Sequence, residues 1–138
     1  MFGFFNKKKR VRLLIVDDER TVVDTLKERL ETSGYEVITA SNGQQGLIRA
    51  AKYAPQLIIL DTNMPYMDGP EMLERLRENP VLRNTAVIML TACRTIENLD
   101  RTDKLQVADY ITKPFDSHDL ITRIEKVLVK HGILEPAC

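Results

Sequence analysis

A chain of 138 residues, 43% hydrophobic and 29% charged, is long enough for one hydrophobic core and too short for two ordinary domains. Six Gly and six Pro exclude a collagen-like or linker composition, and no apolar run approaches the length that crosses a bilayer. The 20 basic and 20 acidic residues cancel overall but not locally. Lys7, Lys8, Lys9, Arg10 and Arg12 crowd together, leaving 15 basic against 20 acidic residues elsewhere, a negative body that disfavours direct binding to DNA or RNA.

Residues 1–10 read as a separate leader, with Phe2, Phe4 and Phe5 ahead of the basic run. It lacks the order and length of a signal peptide, because the aromatics precede the charges. Three readings stay open: a solubilising extension, a weak foot on anionic lipid, and a peptide-docking tail. With only Cys93 and Cys138, and no metal-ligand spacing around either, a reduced cytoplasmic protein is the simpler expectation.

Residues 11–16, 57–60 and 86–90 are apolar runs, unbroken except for Arg12, each followed by a polar residue: Asp17, Asp61 and Thr91. Continuity rather than alternation predicts parallel strands covered on both faces. Val22, Val23, Leu26 and Leu30 recur at helical spacing over 20–32, and Gly34 ends that helix. A short strand over 36–40 follows. Asn42 caps the next helix, with Leu47 and Ala51 on its inward face and Pro55 closing it. Met72, Leu73 and Leu76 line a third helix stopped by Asn79-Pro80. A weakly amphipathic fourth helix spans 94–105, a fifth strand spans 109–112, and Asp116 caps a last helix carrying Leu120, Ile121, Ile124, Val127 and Leu128.

Five strand–helix repeats with right-handed crossovers predict an α/β protein, a doubly wound five-stranded parallel sheet flanked by five helices. Ligands in such folds lie beyond the carboxyl ends of the strands, where the polar residues fall. Asp17, Asp18 and Asp61 converge there, with Thr91 and Lys113 ending the fourth and fifth strands. Three carboxylates in one cleft repel one another unless a cation joins them, and an all-oxygen donor set suits a hard divalent ion, Mg²⁺. Asp18 and Asp61 are the better direct ligands, with Asp17 acting through a water. A carboxylate, a metal and a lysine make a cradle for a phosphoryl group, which the Thr91 hydroxyl can also contact. An ionised carboxylate attacks phosphorus without a general base, giving an aspartyl phosphate.

Four segments carry a resemblance to a known family: Leu14-Ile15-Val16-Asp17-Asp18-Glu19, residues 61–69 from Asp61 to Gly69, Thr91-Ala92, and residues 109–115 from Asp109 to Phe115. In these, over about residues 12–130, the chain resembles the receiver domain of bacterial response regulators (CheY-like, two-component signalling). The resemblance implies a flavodoxin-like strand order 2-1-3-4-5, with the receiver at 11–131 and residues 132–138 as a tail or the start of a linker. It implies Asp61 as phosphoacceptor, Asp17 and Asp18 as the Mg²⁺ pocket, and Asn63 as a backbone carbonyl ligand. Thr91 and Lys113 would sense the phosphate, Tyr110 would be the switch aromatic, and the Lys113–Pro114 bond would be cis. The expected donor is a histidine kinase or phosphotransfer domain. Output would pass to a downstream protein on the face made by the fourth helix, the fifth strand and the last helix. The chain would phosphorylate itself from a donor and slowly lose the group, without turning over an external substrate. The family often has Gly-Ala before the acidic–aromatic pair, whereas Gln106-Val107-Ala108 stand here, so that turn must be built differently. A phosphorylation-independent scaffold, the isolated receiver of a longer regulator, and a small-substrate phosphohydrolase are the alternatives. The last lacks an Asp-x-Asp motif and a cap insertion.

Overall fold

The computed structural model describes residues 10–92 and 104–136. The chain alternates strand and helix: β1 (Arg12–Val16), α1 (Arg20–Thr32), β2 (Glu36–Ala40), α2 (Gly43–Tyr53), β3 (Leu57–Asp61), α3 (Gly69–Glu78), β4 (Ala86–Thr91), β5 (Asp109–Thr112) and α4 (Ser117–Lys130). All strand pairs are parallel, in the order β2-β1-β3-β4-β5, the doubly wound arrangement expected from the sequence. Four helices lie among the described residues. The expected helix over 94–105 falls mostly outside them, as do Cys93, residues 1–9 and residues 137–138.

Alternation along the strands divides the core into two layers. Leu13, Ile15, Ile59, Ile88 and Leu90 face α1 and α4, meeting Leu26, Leu30, Leu120 and Ile124. Leu14, Val16, Ile58, Leu60 and Met89 face α2 and α3, meeting Ala50, Met72, Leu73 and Leu76. The interiors of the strands buried on both faces, residues 13–16, 57–60 and 86–90, are apolar throughout, which is why their sequences show no alternation.

Local signals set the helix ends. Asn42 Oδ1 accepts from the Gln45 N–H at 2.8 Å, Asp68 Oδ1 from Glu71 N–H at 2.9 Å, and Asp116 Oδ1 from His118 N–H at 3.3 Å. Gly34, with φ +99°, supplies the left-handed residue that turns the chain out of α1. One assignment is corrected: Ala51 is exposed, and α2 turns Gly43, Gly46 and Ala50 inward, with Leu47 only half-buried. The reason is proximity. A side chain at Gly46 would meet the Met72 sulfur at 2.8 Å, so α2 and α3 approach through glycine rather than through the larger apolar residues.

The turn before β5 is also built without glycine. Gln106 adopts φ +60°, and the Arg77 guanidinium from α3 donates to the carbonyls of Leu105 at 2.7 Å and Gln106 at 3.2 Å. It also reaches the carbonyls of Arg83 and Thr85, tying the approaches to β4 and β5 to one side chain. Beyond α4 the chain folds back, the Ile133 N–H donating to Leu128 O at 2.8 Å, and Ile133 and Leu134 pack on the first core layer.

Candidate functional site

Strand register brings the site together. Val16 pairs with Leu60, so Asp17 and Asp61 leave adjacent strands side by side. Thr91 pairs with Thr112, and the Lys113 N–H donates to Thr91 O at 2.8 Å, which brings the next residue of β5 to the same rim. Asp17, Asp61 and Thr91 are buried, whereas Asp18 is exposed. Asn63 is exposed in the loop after β3. Tyr110 is half-buried within β5 against the second core layer, and the Lys113–Pro114 bond is cis.

Lys113 Nζ lies 3.0 Å from Asp17 Oδ2, 3.1 Å from Asp61 Oδ1 and 3.1 Å from Glu19 Oε1. Asp17 spends its other oxygen on the Glu19 N–H, at 2.9 Å. With both Asp17 oxygens engaged inside the protein, Asp18 and Asp61 are the freer donors toward a cation. One carboxylate oxygen from each of Asp17, Asp18 and Asp61 falls within a 4.8 Å cluster. Among the described residues this group can hold a metal ion, and its oxygen-only chemistry fits a hard divalent cation.

The electrostatics point the same way. Burial and then the neighbouring Asp17 charge raise the Asp61 pKa to about 6, with Asp18 adding to the rise and Lys113 opposing it. Burial works against the Lys113 charge, yet its hydrogen bonds to Asp17 and Glu19 and the Asp61 charge prevail, holding its pKa above the ordinary lysine range. Lysine alone therefore leaves the pocket with excess negative charge, which an added cation would relieve.

The backbone under Asp61 is fixed from both sides. Thr62, also buried, donates to Leu90 O through its N–H at 2.9 Å and its hydroxyl at 2.8 Å. Gly69 opens α3 so close to β3 that a Cβ there would lie 2.3 Å from Asp61 O. Tyr66 takes φ +70° at the tip of this loop, closed by a Met67 N–H to Pro65 O bond of 2.8 Å. Sequence reasoning missed Glu19 as a lysine partner and Thr62 as the tether. An acidic residue following two others carries no separate signal, but the glycine after Asp68 was a usable hint of close approach.

The sequence profile described as "Response regulator receiver domain" matches residues 13–125. Over 128 residues the chain is 38% identical to the alkaline phosphatase synthesis transcriptional regulatory protein PhoP of Bacillus subtilis, an alignment covering 91% of this chain and 52% of that protein. The chain spans about half the length of the curated relatives it matches. Among solved structures, the CheY-like receiver domain protein of Methanospirillum hungatei JF-1 superposes with a TM-score of 0.85 at 31% identity, covering 90% of this chain and 98% of that one. The chemotaxis protein CheY4 of Vibrio cholerae gives 0.82 at 30% identity, covering 87% and 100%.

Proposed function

The chain belongs to the response regulator receiver domain family, the phosphoryl-accepting components of two-component signalling, and from that premise we propose that Asp61 is its acceptor. One observation carries the assignment: Lys113 Nζ sits 3.1 Å from Asp61 Oδ1 within the cluster of three carboxylates. Two of these are buried, an arrangement with large electrostatic cost and no evident packing purpose.

An ionised Asp61 oxygen attacks the donor phosphorus, and the P–N bond to a partner histidine breaks as the imidazole leaves and takes up a proton. Lys113 stabilises charge on one phosphoryl oxygen, and the Thr91 hydroxyl donates to another. Asp18, Asp61 and the Asn63 carbonyl would hold Mg²⁺, with Asp17 acting through a water. When bound, that ion neutralises charge on the transferring oxygens. Donors are a histidine kinase or phosphotransfer domain, met in the cytoplasm. Tyr110 reads the Thr91 position, and a downstream protein docks on the face that includes β5 and α4. The receiver proper occupies residues 11–131.

Incubation with acetyl phosphate carrying labelled phosphorus and Mg²⁺ tests the acceptor. Wild-type chain is expected to take up label that is acid-labile and released by hydroxylamine, as an acyl phosphate is, and Asp61→Asn none. Label persisting in Asp61→Asn would place the nucleophile elsewhere.

A further inference from the structure

The acceptor role accounts for the burial of Asp61 but not for that of its neighbour Thr62, which is only 3% exposed. Valine has nearly the same shape and an equal preference for extended backbone, without a polar atom to satisfy. Leu90 O does not need the hydroxyl either, because it already accepts the Thr62 N–H at 2.9 Å. The hydroxyl adds a second bond to that same oxygen, at 2.8 Å. One neutral hydrogen bond does little more than offset the cost of taking a hydroxyl out of water. Stability alone therefore gives no reason for a threonine here.

Its place in the fold supplies one. Asp61 pairs with Leu90, and the Thr62 N–H makes the following bond to β4, at the point where β3 leaves the sheet. Strand ends open more readily than strand centres, and these two ends carry Asp61 on β3 and Thr91 on β4. The Thr62 carbonyl accepts the Gly69 N–H at 2.9 Å, so the start of α3 is tied to the same residue. Thr62 also stands between Asp61 and Asn63, and its torsions set where the carboxylate of one lies relative to the carbonyl of the other. Resting on Asp61 as the acceptor, we infer that the Thr62 hydroxyl is a positioning group for the phosphoryl site. By doubling the bond at the end of β3 it fixes the separation of Asp61 from Thr91 and the course of the loop toward Asn63. It touches neither donor nor cation and acts through the backbone. Small displacements of reacting groups cost more in rate than in stability, so the effect of losing it falls on the site.

Two variants separate the hydroxyl from the shape of the side chain. Thr62→Val removes the hydroxyl and keeps the branch at Cβ, whereas Thr62→Ser keeps the hydroxyl and removes the methyl. Each is measured for its urea midpoint, for Mg²⁺ affinity by titration of amide resonances, and for the initial rate of labelling from acetyl phosphate per folded molecule. Thr62→Val is expected to unfold within about 0.5 M urea of wild type, to bind Mg²⁺ at least about threefold more weakly and to label at least about fivefold more slowly. Thr62→Ser is expected to be the less stable of the two, through its lost methyl, yet to stay within about twofold of wild type in both functions. A packing role would rank the variants the other way, with Val closer to wild type than Ser. Wild-type Mg²⁺ affinity or wild-type labelling in Thr62→Val, or a loss in Thr62→Ser as large as in Thr62→Val, would overturn the inference. Failure of the acceptor assignment has a separate signature, label surviving in Asp61→Asn, and the Mg²⁺ titration reports on Thr62 whichever way that result falls.

Discussion

At the Asp61 carboxyl, burial and two neighbouring carboxylates act against one ammonium, and the sum is a pKa raised from 3.8 to about 6. The folded protein therefore holds this proton more tightly than the unfolded chain. Between those pH values the native state binds more protons, so stability falls as pH rises through that window and stays lowered above it. Complete conversion of the shift would be about 3 kcal/mol, and the open pocket reduces this to about 2 kcal/mol. In chelator, Asp61→Asn is expected to be more stable than wild type by that amount at pH 7.5 and indistinguishable near pH 4, as read by urea denaturation. A constant difference across the range would mean that the charge cluster is not its source. Added Mg²⁺ should narrow the gap at pH 7.5 by stabilising wild type selectively. The participants in this balance were legible from strand-end positions, since Asp17 and Asp61 each end an apolar run and Lys113 follows the fifth strand. Glu19 was not, because its role depends on where the Lys113 side chain reaches.

Elements position these groups through contacts that sequence patterns reveal unevenly. Apolar runs identified the central strands because burial on both faces excludes polar residues. The α2 face was misread at Ala51 because glycines, not large apolar side chains, make its closest contact. Arg77 carried no sequence signal at all. Its value comes from four carbonyls contributed by two separate segments, Leu105-Gln106 and residues 83–85. Gly69 shows the consequence for the site. An Ala there would drive a Cβ to 2.3 Å from Asp61 O and 3.0 Å from Thr62 Cα, and neither backbone atom belongs to a side chain that can rotate away. Gly69→Ala is expected to cost about 2–3 kcal/mol and to displace the Asp61 loop. Phosphoryl uptake should fall further than the loss of folded protein accounts for. Unfolding curves and labelling on the same preparation measure both. Normal labelling per folded molecule would show that α3 recoils without disturbing β3.

The whole molecule offers a direct route from the pocket to a distant face. Thr91 ends β4, the same strand whose Met89 pairs with Tyr110, and Lys113 N–H is bonded to Thr91 O. On the far side, Arg123 of α4 holds the Asp109 carboxylate at 3.2 Å and the Tyr110 carbonyl at 3.4 Å. A phosphoryl group that draws the Thr91 hydroxyl and Lys113 toward Asp61 acts at one end of this path. One or two charge-assisted hydrogen bonds supply about 2–5 kcal/mol, enough to reverse an equilibrium that lies a few kcal/mol the other way. The strand order was visible in the sequence, and the resemblance supplied Thr91 and Tyr110 as the expected switch pair, but the Arg123 contacts with Asp109 and the Tyr110 carbonyl were not legible, because they depend on how the last helix packs against β5. Beryllofluoride with Mg²⁺ imitates the phosphoryl group without transfer chemistry. Adding them is expected to shift amide resonances at Thr91, Tyr110 and Arg123 as well as in the loops after β1 and β3. Shifts confined to residues 17–19 and 61–69 would leave phosphate binding intact and remove the two-state link, because Tyr110 would then be insensitive to the occupied pocket.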